Sequence, residues 1–157
     1  MPQPLIHLHL TDKDFKMIKE ELKLTGHVTV SINNEVVRDI PNLVVTTGRG
    51  YVASRMKDDT ATAMSHMAVG TDNTAAAAGN TALGAEIGRV ALTSTSVNGA
   101  IITYTATFPP GTGTGGLTEA ATLNQSSGGT MLCRTVFSVV NKSAADSMTV
   151  GWSVTAS

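Results

Sequence analysis

The sequence is short of charge, of aromatic rings and of cysteine. Charged residues fill 15% of its 157 positions, against about 25% in an ordinary soluble domain. This scarcity, with 41% apolar residues and a net charge of -1, excludes a strongly charged disordered chain. It also excludes a coiled coil, which needs Glu, Lys, Leu and Arg in heptads. Eleven basic against 12 acidic side chains leave no electrostatic footprint for nucleic acid, so no such partner is expected. Aromatic residues are 4% of the chain. Cys133 is the one cysteine, so an internal disulfide is impossible, and its place in an apolar strand pattern predicts a buried thiol. No apolar run approaches the ~20 residues that cross a bilayer, so no membrane partner is expected. The N-terminal MPQPLIHLHLTDKD has neither a basic segment nor a long apolar core. No secretory signal is expected, and synthesis in a reducing cytoplasm is.

Small residues fill the space: 23 Thr, 12 Ser, 18 Ala and 15 Gly, together 68 of 157. The charge that exists is unevenly placed. Residues 1–60 carry 8 basic and 8 acidic groups, and the other 97 residues carry only Asp72, Glu86, Arg89, Glu119, Arg134, Lys142 and Asp146. Between Val90 and Thr118 there is none. A free domain ordinarily wets its surface with charge. A neutral body suits surroundings in which neighbours cover part of it.

Local patterns give the architecture. Thr11 is a good helix N-cap, Asp12 and Asp14 suit the positive end of the helix dipole, and Leu10 with Phe15 matches a hydrophobic staple. Phe15, Ile18 and Leu22 continue one stripe, which predicts a short helix ending near Lys23. Strands are expected from Gly26, with a turn at Asn33-Asn34, a second strand stopped by Pro41, a short apolar run Leu43-Val44-Val45 broken by Gly48-Arg49-Gly50, and a short helix over Tyr51–Lys57 facing Tyr51, Val52 and Met56 inward. Ser65–Val69 reads as a strand ended by Gly70, and 71–85 as a long ordered loop. Arg89–Val97 and Ala100–Phe108 read as a hairpin on an Asn98-Gly99 turn, closed by Pro109-Pro110. Met131–Val140 and Met148–Ala156 read as a second hairpin, with Trp152 a core anchor on the inner face of the last strand. The fold class expected is mainly β: an antiparallel, jelly-roll-like β-sandwich over residues 26–157, preceded by an arm and helix over 1–25.

Signs of chemistry are weak. Gly111-Thr-Gly113-Thr-Gly-Gly116 has the G-x-G-x-x-G spacing, but prolines precede it and strand-like residues follow, so no helix offers amides to a phosphate. His7 and His9 share one side of an extended segment, with His27 and His66 far along the chain; no spacing completes a zinc set. The neighbouring carboxylates Glu20-Glu21 and Asp58-Asp59 point apart. No nucleophile elbow is present. No catalytic residue, cofactor or metal site is therefore expected. In a body this poor in charge, Glu86 with Arg89 and Glu119 with Arg134 read as structural clamps, since Arg offers a planar two-pronged donor to a carboxylate.

Three stretches together resemble a known group: Asn42-Leu-Val-Val-Thr-Thr-Gly48-Arg49; Met67-Ala-Val-Gly-Thr71 through Gly79-Asn-Thr-Ala-Leu83-Gly-Ala-Glu86-Ile-Gly-Arg89; and Leu117-Thr-Glu119-Ala-Ala-Thr-Leu123-Asn124 with Gly129-Thr-Met131-Leu-Cys-Arg134-Thr-Val-Phe137 and the Trp152 strand. They resemble small structural proteins of tailed-bacteriophage virions, those of heads and of tail fibres. The resemblance spans residues 42–157. It implies a non-enzymatic, oligomeric virion protein made in the host bacterial cytoplasm. The first expectation is a capsid decoration, or cement, protein bound to the major capsid protein as a trimer or dimer, anchored by Leu5, Leu8, Leu10, Phe15, Ile18 and Leu22 of the arm. The alternatives are a tail-fibre module or fibre–tail adaptor, and, from a different class, a carbohydrate-binding module.

Overall fold

The computed structural model describes residues 21–57 and 61–157. They form a mainly β, sandwich-like fold: a nine-stranded antiparallel sheet, curled over one core, with one helix. In chain order the elements are β1 (Leu24–Ile32), β2 (Glu35–Val44), α1 (Thr46–Met56), β3 (His66–Gly70), β4 (Glu86–Ala91), β5 (Ser94–Asn98), β6 (Ile101–Phe108), β7 (Gly115–Leu123), β8 (Met131–Lys142) and β9 (Met148–Ala156). Across the sheet the order is β4-β3-β7-β8-β2-β1-β9-β6-β5. The two edge strands β4 and β5 are joined by Leu92 and Thr93 alone. That short link holds the two ends of the sheet together and makes it curl.

The β1–β2 hairpin turns on Asn33 and Asn34, both at positive φ (49° and 71°). Asparagine tolerates that conformation, and two such residues in sequence match the right-handed twist of the strands. Pro41 does not stop β2, contrary to the sequence expectation. The strand pairs with β1 as far as Asn42 and with β8 from Leu43. Proline's missing donor thus falls where the partner changes, a position a sheet tolerates.

The helix starts at Thr46, five residues before the expected Tyr51, and takes in Gly48 and Gly50. A Cβ on Gly48 would stand 2.1 Å from the Leu132 carbonyl oxygen. Glycine here is the contact surface between helix and β8, not a breaker. Tyr51 and Val52 pack on the core, whereas Met56, expected inward, is 81% exposed.

Both expected hairpins need correction. Residues 89–97 are split between β4, which pairs with β3, and β5, which pairs with β6 at the far edge. The β5–β6 turn is Gly99-Ala100, flanked by Asn98 opposite Ile101, and only Gly99 takes positive φ (57°). Glycine at the first central position is the II′ pattern, so the residue that can reverse φ sits where φ must be reversed. β8 and β9 do not pair at all. β8 lies between β7 and β2, β9 between β1 and β6, and the 143–147 link crosses from one layer to the other. The strand-like residues after the 111–116 glycines, Leu117–Glu119, lie within β7.

Val28, Val30, Tyr104, Val150 and Trp152 of one layer meet Val44, Met67, Leu117, Cys133 and Phe137 of the other in one core. The second layer is buried on its outer face too, where Val45, Ala68, Leu83, Ala121, Leu123 and Met131 form a smaller cluster. Leu83 belongs to the 71–85 loop, which therefore acts as a cover over β3, β7 and β8. Residues 21–23 carry no regular structure, so the expected helix does not extend to Lys23. Instead Lys23 exchanges backbone hydrogen bonds of 2.7 and 2.9 Å with Ser157.

Candidate functional site

Among the described residues, a buried cluster of charged side chains lies under the 71–85 loop. Gly70, Ala68 and His66 of β3 stand opposite Glu119, Ala121 and Leu123 of β7, and Ala121 stands opposite Arg134 of β8. Side chains of directly paired residues share a face. Glu119 and Arg134 are thereby placed on the outer face of the second layer, 0% and 2% exposed.

The pair is fully engaged. Arg134 donates to Glu119 Oε2 from Nε (3.2 Å) and Nη2 (2.9 Å), to Asp72 Oδ2 from Nη2 (3.2 Å), and to Asn80 Oδ1 from Nη1 (2.9 Å). Glu119 accepts backbone amides in return: Ala85 (2.8 Å) and Asp72 (3.3 Å) on Oε1, and Gly84 (3.0 Å) on Oε2. A buried carboxylate and guanidinium are tolerable only when their remaining donors and acceptors are met, and here the loop backbone meets them. Two glycines leave the room: a Cβ on Gly70 would lie 2.3 Å from Glu119 Oε1, and one on Gly84 1.9 Å from Asp72 Oδ2. Asp72 also accepts from the Thr74 hydroxyl (2.8 Å) and amide (3.1 Å). Those bonds, with Arg134 nearby, hold its carboxyl below the usual range. The cluster seats both ends of the loop, and Thr46 donates to Ala78 to tie its middle to α1.

Glu86 and Arg89 also meet, through Nε–Oε1 (2.8 Å) and Nη2–Oε2 (2.7 Å). The free prong of Arg89 donates to the carbonyls of Gln125 (2.8 Å) and Gly128 (3.0 Å), pinning the β7–β8 loop. Lys142 is buried, donates to Pro109 O (3.1 Å), and has its pKa lowered by that burial. Cys133 is a free, buried thiol, and burial pushes its pKa up to about 12, so it stays protonated. Trp152 is 0% exposed beside it in the core.

Other singled-out residues are scattered. Leu5, Leu8, Leu10, Phe15 and Ile18, with His7, His9 and Asp58-Asp59, lie outside the described residues; Leu22 is described and 65% exposed. His27 bonds Asp39, and His66 Nδ1 meets the Ser65 hydroxyl at 2.8 Å. Among the described residues no three His, Cys, Asp or Glu side chains converge as metal ligands, and no helix is long and apolar enough to cross a membrane. The 111–116 glycines lead into strand β7, not a helix. Asp72 and Asn80 as partners of Arg134, and the burial of Lys142, were not legible in the sequence. The one available signal was Asp72-Asn-Thr74, a spacing in which an Asp side chain caps the amide two residues on.

No family model, no curated protein and no solved structure matches the chain.

Proposed function

We propose that the chain is a non-enzymatic structural protein of a tailed-phage virion: a decoration protein that binds the outside of the head, with the major capsid protein and further copies of itself, as a trimer or dimer, for partners. The observation that carries this reading is the surface. Of the seven charges in residues 61–157, Glu119, Arg134 and Lys142 are buried, and Glu86 neutralises Arg89. In that part of the sandwich only Asp72, itself paired with Arg134, and Asp146 remain, while Ile87, Val97, Ile101 and Val139 are exposed; further exposed charge of the fold lies on β2 and α1. Such a surface is poorly suited to a free monomer and well suited to contact with neighbours. Its long loop is clamped at both ends, which favours a rigid contact over an adaptable one. Many copies on a repeating shell need only ordinary affinity each, because oligomer valency multiplies it.

Purified protein mixed with heads that lack it tests the reading. Saturable co-sedimentation with heads, and none with isolated tails, is expected. Binding to tails alone would move the assignment to the fibre or adaptor, and binding to neither would remove the virion reading.

A further inference from the structure

β5 is an open sheet edge without the usual protection. All five of its residues, Ser94 to Asn98, are exposed, and none is charged or proline. Edge strands normally carry such residues because an open edge pairs with other chains. In a hairpin with a two-residue turn, the flanking pair Asn98 and Ile101 exchanges both hydrogen bonds. By alternation, the amide and carbonyl of Thr95 and of Val97 point away from β6. Among the described residues, no hydrogen bond engages them. The side chains of the same two residues face the side of Tyr104 and Ile102, their cross-strand partners. There they line an open groove of about 410 Å³, floored by Tyr104, Leu132 and Val154 and walled by α1 and Met64. Val97 is 71% exposed at its rim. The groove thus pairs four outward main-chain groups with an apolar trough, the geometry that accepts an added strand.

The sequence contains one matching strand. Ile6-His7-Leu8-His9-Leu10 alternates apolar and polar residues, carries no Asp, Glu, Lys or Arg, and is as long as β5. The other alternating segments are already in β1–β9. The described chain begins at Glu21 and runs past α1 to Leu24, which with its β9 partner Ala156 lines the groove. The ten residues between Leu10 and Glu21 reach ~15 Å even if helical, close to the length of a five-residue strand, and further if extended. A tethered segment also binds at a high effective concentration. We infer that Ile6–Leu10 of the same chain adds to the free edge of β5, with Ile6, Leu8 and Leu10 turned into the groove, and so shields the edge from other chains.

Amide hydrogen exchange of the full-length protein, resolved at Thr95 and Val97, tests this. Two full-length variants serve as references: Leu8→Asp, and Val97→Pro, which removes an outward donor without touching the β5–β6 ladder. The Thr95 amide should exchange at least about tenfold faster in either variant than in the unaltered protein, while Thr103, inside the ladder, is unchanged. Protection in the unaltered protein should survive tenfold dilution. Equal exchange at Thr95 in all three proteins would overturn the inference. So would protection that vanishes on dilution, which would assign the edge to a second copy.

Discussion

Arg134 is the side chain on which the most structure depends. It touches Glu119 in β7 and Asp72 and Asn80 in the loop, and Glu119 in turn holds three loop amides. Replacing it by Met would leave a carboxylate buried and unpaired, at a cost of about 3–5 kcal/mol. Lysine should recover little, because a point charge cannot span three acceptors. Urea unfolding checks the magnitude. Exchange of the Gly84 and Ala85 amides checks the cause: they should lose protection in Arg134→Met before the strand amides do. The double variant Glu119→Gln, Arg134→Met should cost less than the two single changes summed. The pairing itself was legible in the sequence, because isolated charges in a neutral body have few reasons to be there. The loop partners were not: Asp72 and Asn80 lie 62 and 54 residues from Arg134, and only the fold brings them to it.

At the scale of elements, alternation revealed most strands, and Asn33-Asn34 revealed its own turn. Pairing was less legible. A strand's periodicity fixes its inner face and says little about which neighbour it takes. Hence β8 and β9, adjacent in sequence and both apolar on one face, look like a hairpin and yet lie in opposite layers. Gly48 looks like a breaker because the Leu132 backbone that requires it is 84 residues away in sequence. The Asn98-Gly99 signal gave the right hairpin with the wrong register. The consequence is measurable. Gly99→Ala, which forces an alanine into positive φ, should cost about 1–2 kcal/mol. Asn98→Ala, now a strand residue with an exposed side chain, should stay within about 0.5 kcal/mol. Denaturant midpoints at unchanged slope decide it; the reverse order would restore the Asn-Gly turn.

For the whole molecule, the scarcity of charge in the sequence becomes a property of its surface. Burial removes three of the seven charges of residues 61–157, and pairing neutralises two more. Residues 61–157 are poor in exposed charge and clamped at their longest loop, whereas β2 and α1 carry Glu35, Asp39, Arg49 and Arg55 exposed. Those features suit a repeated contact on a shell. The decoration reading makes one quantitative demand that a fibre component does not share: abundance. Quantitative protein analysis of purified particles measures it most directly. A decoration protein should be present in a copy number comparable with that of the major capsid protein. A copy number that is a small fraction of it would contradict the decoration assignment, and absence from the particle would contradict the virion reading altogether.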